Sequence, residues 1–527
     1  MGNYAKHITT KSTPQNQPIL GMTNQVKNNA GGYVFEVSDQ ALLERFLVLG
    51  SEGGTYYAGE KKLTLETATS IIEMIRRDGK AVVHTVVTFT RAKRAPKEDP
   101  AIFVLALCTT FGDEATKAAA YKAIEKICYT ATQLFMFCEN IKALRGWSRG
   151  LRSGVSLWYQ KRDTESLIYQ LLKYRQRNGW THRDVLRLAH TKPMNGVMSS
   201  LFSYATKGEL TETETKAFPL LAAFEEAQTA STKRLVDIIN KHPLMTWEMV
   251  PTDKLKEKSV LEALLQKMPM TATIRQLNRF TAAGLFTSRT DENTQLVVKR
   301  LTDVEQLRKG RVHPITLLNA MRMYAQGRGD KGSLVWSPNQ AIVDAMSEGF
   351  ELSFTTLEPT NKRILVGVDI SGSMHAKTTG LSISCHEAAA AIALAILKTE
   401  PNAELMYFSD RVHQVKVGKR SSYEEVLRSV SGGGGTDCSL PYKYAKDKKL
   451  NCDAIITLTD NETWSGHNHP IQAFDSYKAS VRPDCKGVVL GMAVNKFNLF
   501  PKDYLNGLNI AGLDSSVPNL INLYLKD

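Results

Sequence analysis

Between about residues 31 and 350 the apolar positions recur at steps of three and four. In 63-LTLETATSIIEMIRRDG-79, Leu65, Ala68, Ile72 and Ile75 fall on one helical face, and Gly79 is placed to cap the C-terminus. Pieces of similar length recur at 113–128, 164–177, 232–242, 259–268, 293–301 and 341–350. A long series of short amphipathic helices with little strand signal predicts stacked helix pairs, an α-solenoid. No tight sequence period accompanies it, so the prediction rests on the rhythm of elements. Residues 1–28 are polar and rich in Thr, Asn, Gln and Lys, and are expected to form a flexible arm.

The pattern changes after 353-SFTTLEPTNKR-363. A continuous apolar run of strand length, 364-ILVGV-368, is followed by an Ala-rich helix at 386–398, a strand at 403–408, a helix at 422–430 and strands at 453–459 and 487–494. Strands alternating with helices predict an α/β unit with a parallel sheet buried on both faces. The chain therefore divides into an arm (1–28), a helical domain (29–358) and an α/β domain (361–527). A length of 527 residues agrees, since one core seldom grows past about 250–300 residues.

There is no run of about 18 apolar residues, so no membrane span is expected. The start, MGNYAKHITT, has no apolar stretch of a secretory signal, and Lys6 stands where a myristoylation pattern wants Ser or Thr. The cysteines Cys108, Cys128, Cys138, Cys385, Cys438, Cys452 and Cys485 are odd in number and form no CxxC pair. Free thiols in a reducing cytoplasm are the expectation. The net charge of +14 is unevenly placed: residues 1–360 carry +12, residues 361–527 only +2. Residues 141–200 hold twelve Lys and Arg against three Asp and Glu. Such a concentration is a candidate polyanion footprint, although a solvated face that keeps the protein soluble would read the same way.

Two constellations carry chemistry. In the α/β domain, oxygen donors follow strand-like segments: Asp369, Ser371 and Ser373 after 364–368, Thr436 and Asp437 after the glycine run 432–435, and Asp460 after 454–459. In parallel α/β sheets ligands gather at the carboxyl ends of strands. Hydroxyls and carboxylates are hard donors that suit Mg²⁺, and this set leaves a position for water or a partner's carboxylate. A serine hydrolase is a poorer fit, because 370-ISGSM-374 is not GxSxG. The glycine run lacks the GK[ST] of a phosphate loop and is better suited to closing backbone over an ion. Arg328-Gly329-Asp330 reads as a loop, and His467 and His469 read as a surface turn. In the helical domain the densest basic stretch is 173-KYRQRNGWTHRDVLRLAH-190. Lys173 and Arg177 are four apart on one helix; Arg183, Arg187 and His190 share a face of the next. Tyr174, Trp180 and His182 interleave with them. Upstream lie Arg145, Arg149, Arg152, Lys161 and Arg162 with Trp147 and Trp158. Two cationic stripes can straddle a phosphate backbone while aromatic rings or histidine stack on bases.

The order DxSxS at 369–373, GGTD at 434–437 and TDNE at 459–462 resembles the metal-ion-dependent adhesion site of a von Willebrand factor A domain. The segments 29-NAGGYVFEVSD-39, 42-LLERFLVLGSEGGTYYAGEKKL-63, 173–190, 311-RVHP-314 and 457-TLTDNETWSGHNHP-470 resemble the Ro autoantigen family, TROVE-domain proteins that bind Y RNAs, in bacterial rather than vertebrate character. The resemblance implies a HEAT-like α-solenoid ring closed by a Rossmann-like von Willebrand factor A domain. It implies Y-like RNA on the outer surface and the single-stranded 3′ ends of misfolded small RNAs in the hole. It matches Lys173, Arg177 and His190 to the family's RNA-binding positions, with Arg187 beside them, and Asp369, Ser371, Ser373, Thr436 and Asp460 to its metal positions. Thr181 stands where the family usually has serine.

The function expected is non-catalytic RNA binding in small-RNA quality control, by a cytoplasmic monomer with a divalent cation, Mg²⁺, and with a 3′→5′ exonuclease such as polynucleotide phosphorylase as partner. The rival is a protein-interaction scaffold whose metal site recruits an acidic partner and whose basic surface is incidental.

Overall fold

The computed structural model describes residues 12–50, 68–95, 97–310, 312, 314–329, 333–353, 359–376, 383–430, 432–493, 497–501, 504–512 and 517–526. Two short strands, β1 (Gln25–Lys27) and β2 (Tyr33–Glu36), pair antiparallel ahead of the helix Asp39–Leu49. A succession of helices follows to Leu352. Many start at a Ser, Thr, Asp or Asn whose side chain accepts a backbone N–H of the first turn, among them Ser38, Asp113, Thr130, Asp163 and Ser231. Those caps set the short rhythm seen in the sequence. Neighbours pack in series, Thr69–Arg91 on Glu114–Ile127, Glu114–Ile127 on Arg149–Gln160, and Arg149–Gln160 on His182–Ala189.

Two predicted boundaries differ from the structure. Gly79 does not end a helix: the helix runs Thr69–Arg91, with one non-helical residue at Asp78. A Cβ on Gly79 would lie 2.4 Å from Thr116 Cγ2, so this glycine serves the close approach of two helices. The helix predicted over 164–177 stops at Lys173. Beyond it, β3 (Gln176–Arg177) and β4 (Trp180–Thr181) form a hairpin, with Asn178 (φ 52°) and Gly179 (φ 75°) in its turn. Asn-Gly favours this geometry because both central residues need positive φ.

The α/β unit contains β5 (Ile364–Asp369), β6 (Ala403–Phe408), β7 (Val412–His413), β8 (Ala454–Thr459), β9 (Lys486–Gly491), β10 (Phe497–Asn498) and β11 (Gly507–Ala511). Its six-stranded sheet has the order β11-β9-β8-β5-β6-β7, parallel except for β7. The sheet is thus mixed at one edge rather than wholly parallel. Alternate residues of one strand enter different cores. Val366, Val368, Ile456 and Leu458 join a cluster continuous with the helical domain, whereas Leu365 and Ile455 join another with Tyr442, Phe474 and Phe500. That is the period of two expected of a sheet covered on both faces.

Both ends of the helical succession rest on the α/β unit. At the start, Arg45 is buried and donates to Phe497 O (3.0 Å) and to Asn498 Oδ1, and β2 pairs with β10. At the end, Arg322 pairs with Glu387, Lys398 with Glu351, and the rings of Phe350 and Tyr423 meet at 5.4 Å. The expected flexible arm is not one from Ser12 onward, where the chain packs on the α/β unit; residues 1–11 lie outside the described residues. All seven cysteines are free and buried.

Candidate functional site

The basic segment divides into residues already bonded to other groups of the chain and exposed residues without a carboxylate partner among the described residues. Arg145 donates to Thr109 O, Arg162 donates to Trp158 O (2.8 Å) and Tyr129 O (3.0 Å) and covers the Trp158 ring at 3.5 Å, and Lys161 pairs with Glu125. The aromatic side chains proposed for stacking are largely core. Trp158 is fully buried and donates to Cys128 O; Trp180 is buried and donates to Glu139 Oε2 (2.6 Å). His182 is buried as well, its ring nitrogens bonded to the Tyr159 hydroxyl (3.0 Å) and Gln170 O (3.1 Å). Burial pushes its pKa down to about 4, so it is a neutral core residue and not a base-stacking group.

The helix His182–Ala189 keeps the predicted face. Thr181 caps it in reciprocal exchange with Asp184. Arg183, Arg187 and His190 are exposed, and His190 closes the helix at φ 51°. Lys173 and Arg177, in contrast, do not share a helical face. Lys173 ends its helix with Nζ bonded to the Tyr169 hydroxyl (2.9 Å), and Arg177 projects from the hairpin, Nη1 donating to Gln176 O (2.7 Å). The hairpin joins the two helices, so the five basic residues come from three linked elements. Among the described residues none of Lys173, Arg177, Arg183 and Arg187 forms an ion pair with a carboxylate.

The oxygen donors of the α/β unit do converge. Adjacent β5 and β8 end at Asp369 and Thr459, and the side chains of Asp369, Ser371, Ser373, Thr436 and Asp460 are all buried. Asp369 Oδ1 accepts Ser371 N (2.9 Å), and Oδ2 accepts the Thr459 hydroxyl (2.7 Å). The Ser371 and Ser373 hydroxyls lie 3.2 Å apart, and Asp460 Oδ1 accepts Glu462 N (3.1 Å). Gly434 O accepts Gly372 N, so the glycine run does fold over this turn. Asp437 is not part of the cluster. Its Oδ1 accepts Gln15 Nε2, Ser439 N and Ser439 Oγ, and Lys443 faces its Oδ2 at 3.5 Å. His469 is buried, with its Nε2 on Gln17 O (2.7 Å).

The donor set fits a hard divalent cation. Thr436 Oγ1 is buried and has no hydrogen-bond partner among the described residues. Burial and then the charge of Asp460 raise the Asp369 pKa to about 7, and no cationic side chain pairs with it among the described residues. A +2 ion would offset both the orphaned hydroxyl and the crowded carboxylates. Sequence reasoning missed Thr459, although it directly precedes Asp460. It also missed Gln15, Asn28 and Asn29, whose contacts with 437 and 461–463 no local pattern announces.

A TROVE domain family model matches residues 26–322, and a Ro60 vWA domain model matches residues 363–525. The chain is 35% identical over 586 aligned residues to RNA-binding protein RO60 of Caenorhabditis elegans, covering 95% of this chain and 90% of that protein. It is 33% identical over 533 residues to RNA-binding protein RO60 of Deinococcus radiodurans, covering 100% and 99%. The crystal structure of the Deinococcus radiodurans RO (RSR) protein superposes with a TM-score of 0.72 at 32% identity, over 93% of this chain and 99% of that one. A TROVE helical region, a vWA domain behind it and relatives matched from end to end place the chain in the Ro60 family.

Proposed function

We propose that this protein is a non-catalytic RNA-binding protein. It holds a Y-like RNA at Lys173, Arg177, Arg187 and His190 and takes the single-stranded 3′ ends of misfolded small RNAs into the hole of the ring. The observation that carries this reading is the division of the basic segment: Arg145, Lys161 and Arg162 are already bonded to other groups of the chain, whereas Arg183 and Arg187 stand exposed with no carboxylate partner among the described residues. Unpaired arginines in a row suit the bidentate recognition of phosphates. Relatives named as RNA-binding proteins over the whole length add support. In the α/β domain, Asp369, Ser371, Ser373, Thr436 and Asp460 hold Mg²⁺, which supplies a docking point for a carboxylate rather than a nuclease centre. A two-metal nuclease would want more clustered carboxylates than hydroxyls. The further role is quality control of small RNAs in the cytoplasm by a monomer that presents RNA to a 3′→5′ exonuclease such as polynucleotide phosphorylase.

The test is a gel shift with RNA that co-purifies with the protein. The Lys173→Ala/Arg177→Ala pair and His190→Ser each abolish the shift while circular dichroism stays unchanged. Wild-type affinity falls with salt at a log–log slope of roughly −0.7 to −0.9 per neutralised phosphate. Unchanged affinity in these variants would sink the RNA reading and leave the metal-dependent scaffold.

A further inference from the structure

The loops that carry the cation ligands are held from outside by the segment expected to be an arm. Gln15 is fully buried among them. Its Nε2 donates to Asp437 Oδ1 (2.6 Å) and Asn468 O (2.8 Å), its Oε1 accepts the Thr463 hydroxyl (2.5 Å), and its backbone N donates to Gly466 O (2.9 Å). Asn28 Nδ2 donates to Thr463 O (2.7 Å). Asn29 Nδ2 and Ala30 N donate to the two oxygens of the Glu462 carboxylate, at 2.7 and 3.2 Å. At Gly32 a Cβ would lie 1.9 Å from Thr463 O, so backbone presses on backbone there.

These contacts fall beside the ligands. Asp437 follows Thr436, and Glu462 and Thr463 follow Asp460 by two and three residues. The two loops are also tied to each other: Trp464 N and Ser465 N donate to Thr436 O, and Cys438 N donates to the Thr463 hydroxyl. One amide side chain, that of Gln15, therefore bridges the loop bearing Thr436 and the loop that follows Asp460.

We propose that residues 12–36 are a strap that builds the cation site, with Gln15 as its positioning residue, so that cation binding and strap docking are coupled. The proposal rests on the Mg²⁺ reading given above. A site shaped by the docked strap binds its ion more tightly than one without it, and by reciprocity the ion holds the strap down by the same factor. The strap runs straight into the helix Asp39–Leu49, whose Arg45 is locked onto Phe497 and Asn498. The cation thereby bears on how the first helices of the TROVE domain close against the vWA domain.

The test uses the full-length protein and two readouts, Mn²⁺ affinity by electron paramagnetic resonance and tryptic cleavage after Lys27, an exposed residue of β1. Gln15→Ala is expected to bind Mn²⁺ on the order of tenfold more weakly, the scale seen when a group supporting a metal ligand is removed. Mg²⁺ is expected to slow cleavage after Lys27 in the wild type and to leave Asp369→Ala unprotected. Asn29→Ala, at an exposed position, repeats the test should Gln15→Ala fail to fold. If the wild type binds no Mn²⁺, the metal reading falls and the proposal with it. If the wild type binds Mn²⁺ but both variants bind it equally and Mg²⁺ leaves cleavage unchanged, the coupling is overturned while the metal site stands.

Discussion

Asp369 and His182 are both buried, and burial moves their titrations in opposite directions because it disfavours whichever form is charged. For Asp369 a bound cation would offset that cost. Asp369→Ala is expected to abolish Mg²⁺ binding in a calorimetric titration while RNA affinity stays within about twofold; a large loss of RNA affinity in a folded variant would show that the two sites are coupled. His182 has no counter-ion among the described residues. Its folded pKa of about 4 lies below the ordinary 6.5, so between these values the unfolded chain binds the extra proton and the folded protein does not. Stability contributed by the neutral ring is whole above about pH 6.5 and declines as pH falls towards 4, by about 1.4 kcal/mol per pH unit for one such group. Thermal melts between pH 7 and 4.5 are expected to show a shallower decline for His182→Gln than for wild type. The burial of His182 was legible in principle: with Val185, Leu186 and Ala189 it makes the apolar face of its helix at steps of three and four. Its placement among arginines in the sequence hid that face.

At the scale of elements the hairpin β3–β4 decides how the cationic residues are presented. Helical spacing carried the eye from Lys173 to Arg177, yet Asn178-Gly179 is itself the short-range signal of a hairpin. Gly179 sits at φ 75°, where a β-branched side chain is strained. Gly179→Val is expected to cost roughly 1–2 kcal/mol in chemical denaturation. It is also expected to weaken RNA binding several-fold through Arg177 alone, so that adding Arg177→Ala brings little more loss in a gel shift. A full further loss on adding Arg177→Ala would mean the turn does not place that side chain. The caps at Ser38, Asp113, Thr130, Asp163 and Ser231 explain why helix starts read well. Gly79 shows why ends read less well: a glycine can end a helix or admit a neighbour, and only the neighbour distinguishes them.

At the scale of the molecule, one apolar cluster runs from the helical domain into the sheet through the Ala-rich helix Cys385–Thr399. Its alanines are small enough for the strands on one side and the helical domain on the other to approach. The opposite contact depends on Arg45, whose burial lowers its pKa to about 10 and whose guanidinium satisfies Phe497 O and Asn498 Oδ1. Arg45→Ala removes the donor and leaves buried acceptors behind, a loss on the order of 3 kcal/mol or more. A marked drop in melting temperature is the expected result, and an unchanged melt would show that this clasp contributes nothing to closure.

The amino-acid order by itself determined the two-part architecture, the run of short helices, the alternating strands and the motif order of the oxygen site. Each rests on periodicity, capping or spacing within a few residues of chain. Tertiary structure alone decided which tryptophans are buried and which arginines are bonded within the chain, that Asp437 turns away from the other oxygen donors, and that Gln15 reaches loops more than 400 residues further along. Burial and long-range hydrogen bonds belong to the packed chain, where segments with no common local pattern satisfy one another's polar groups.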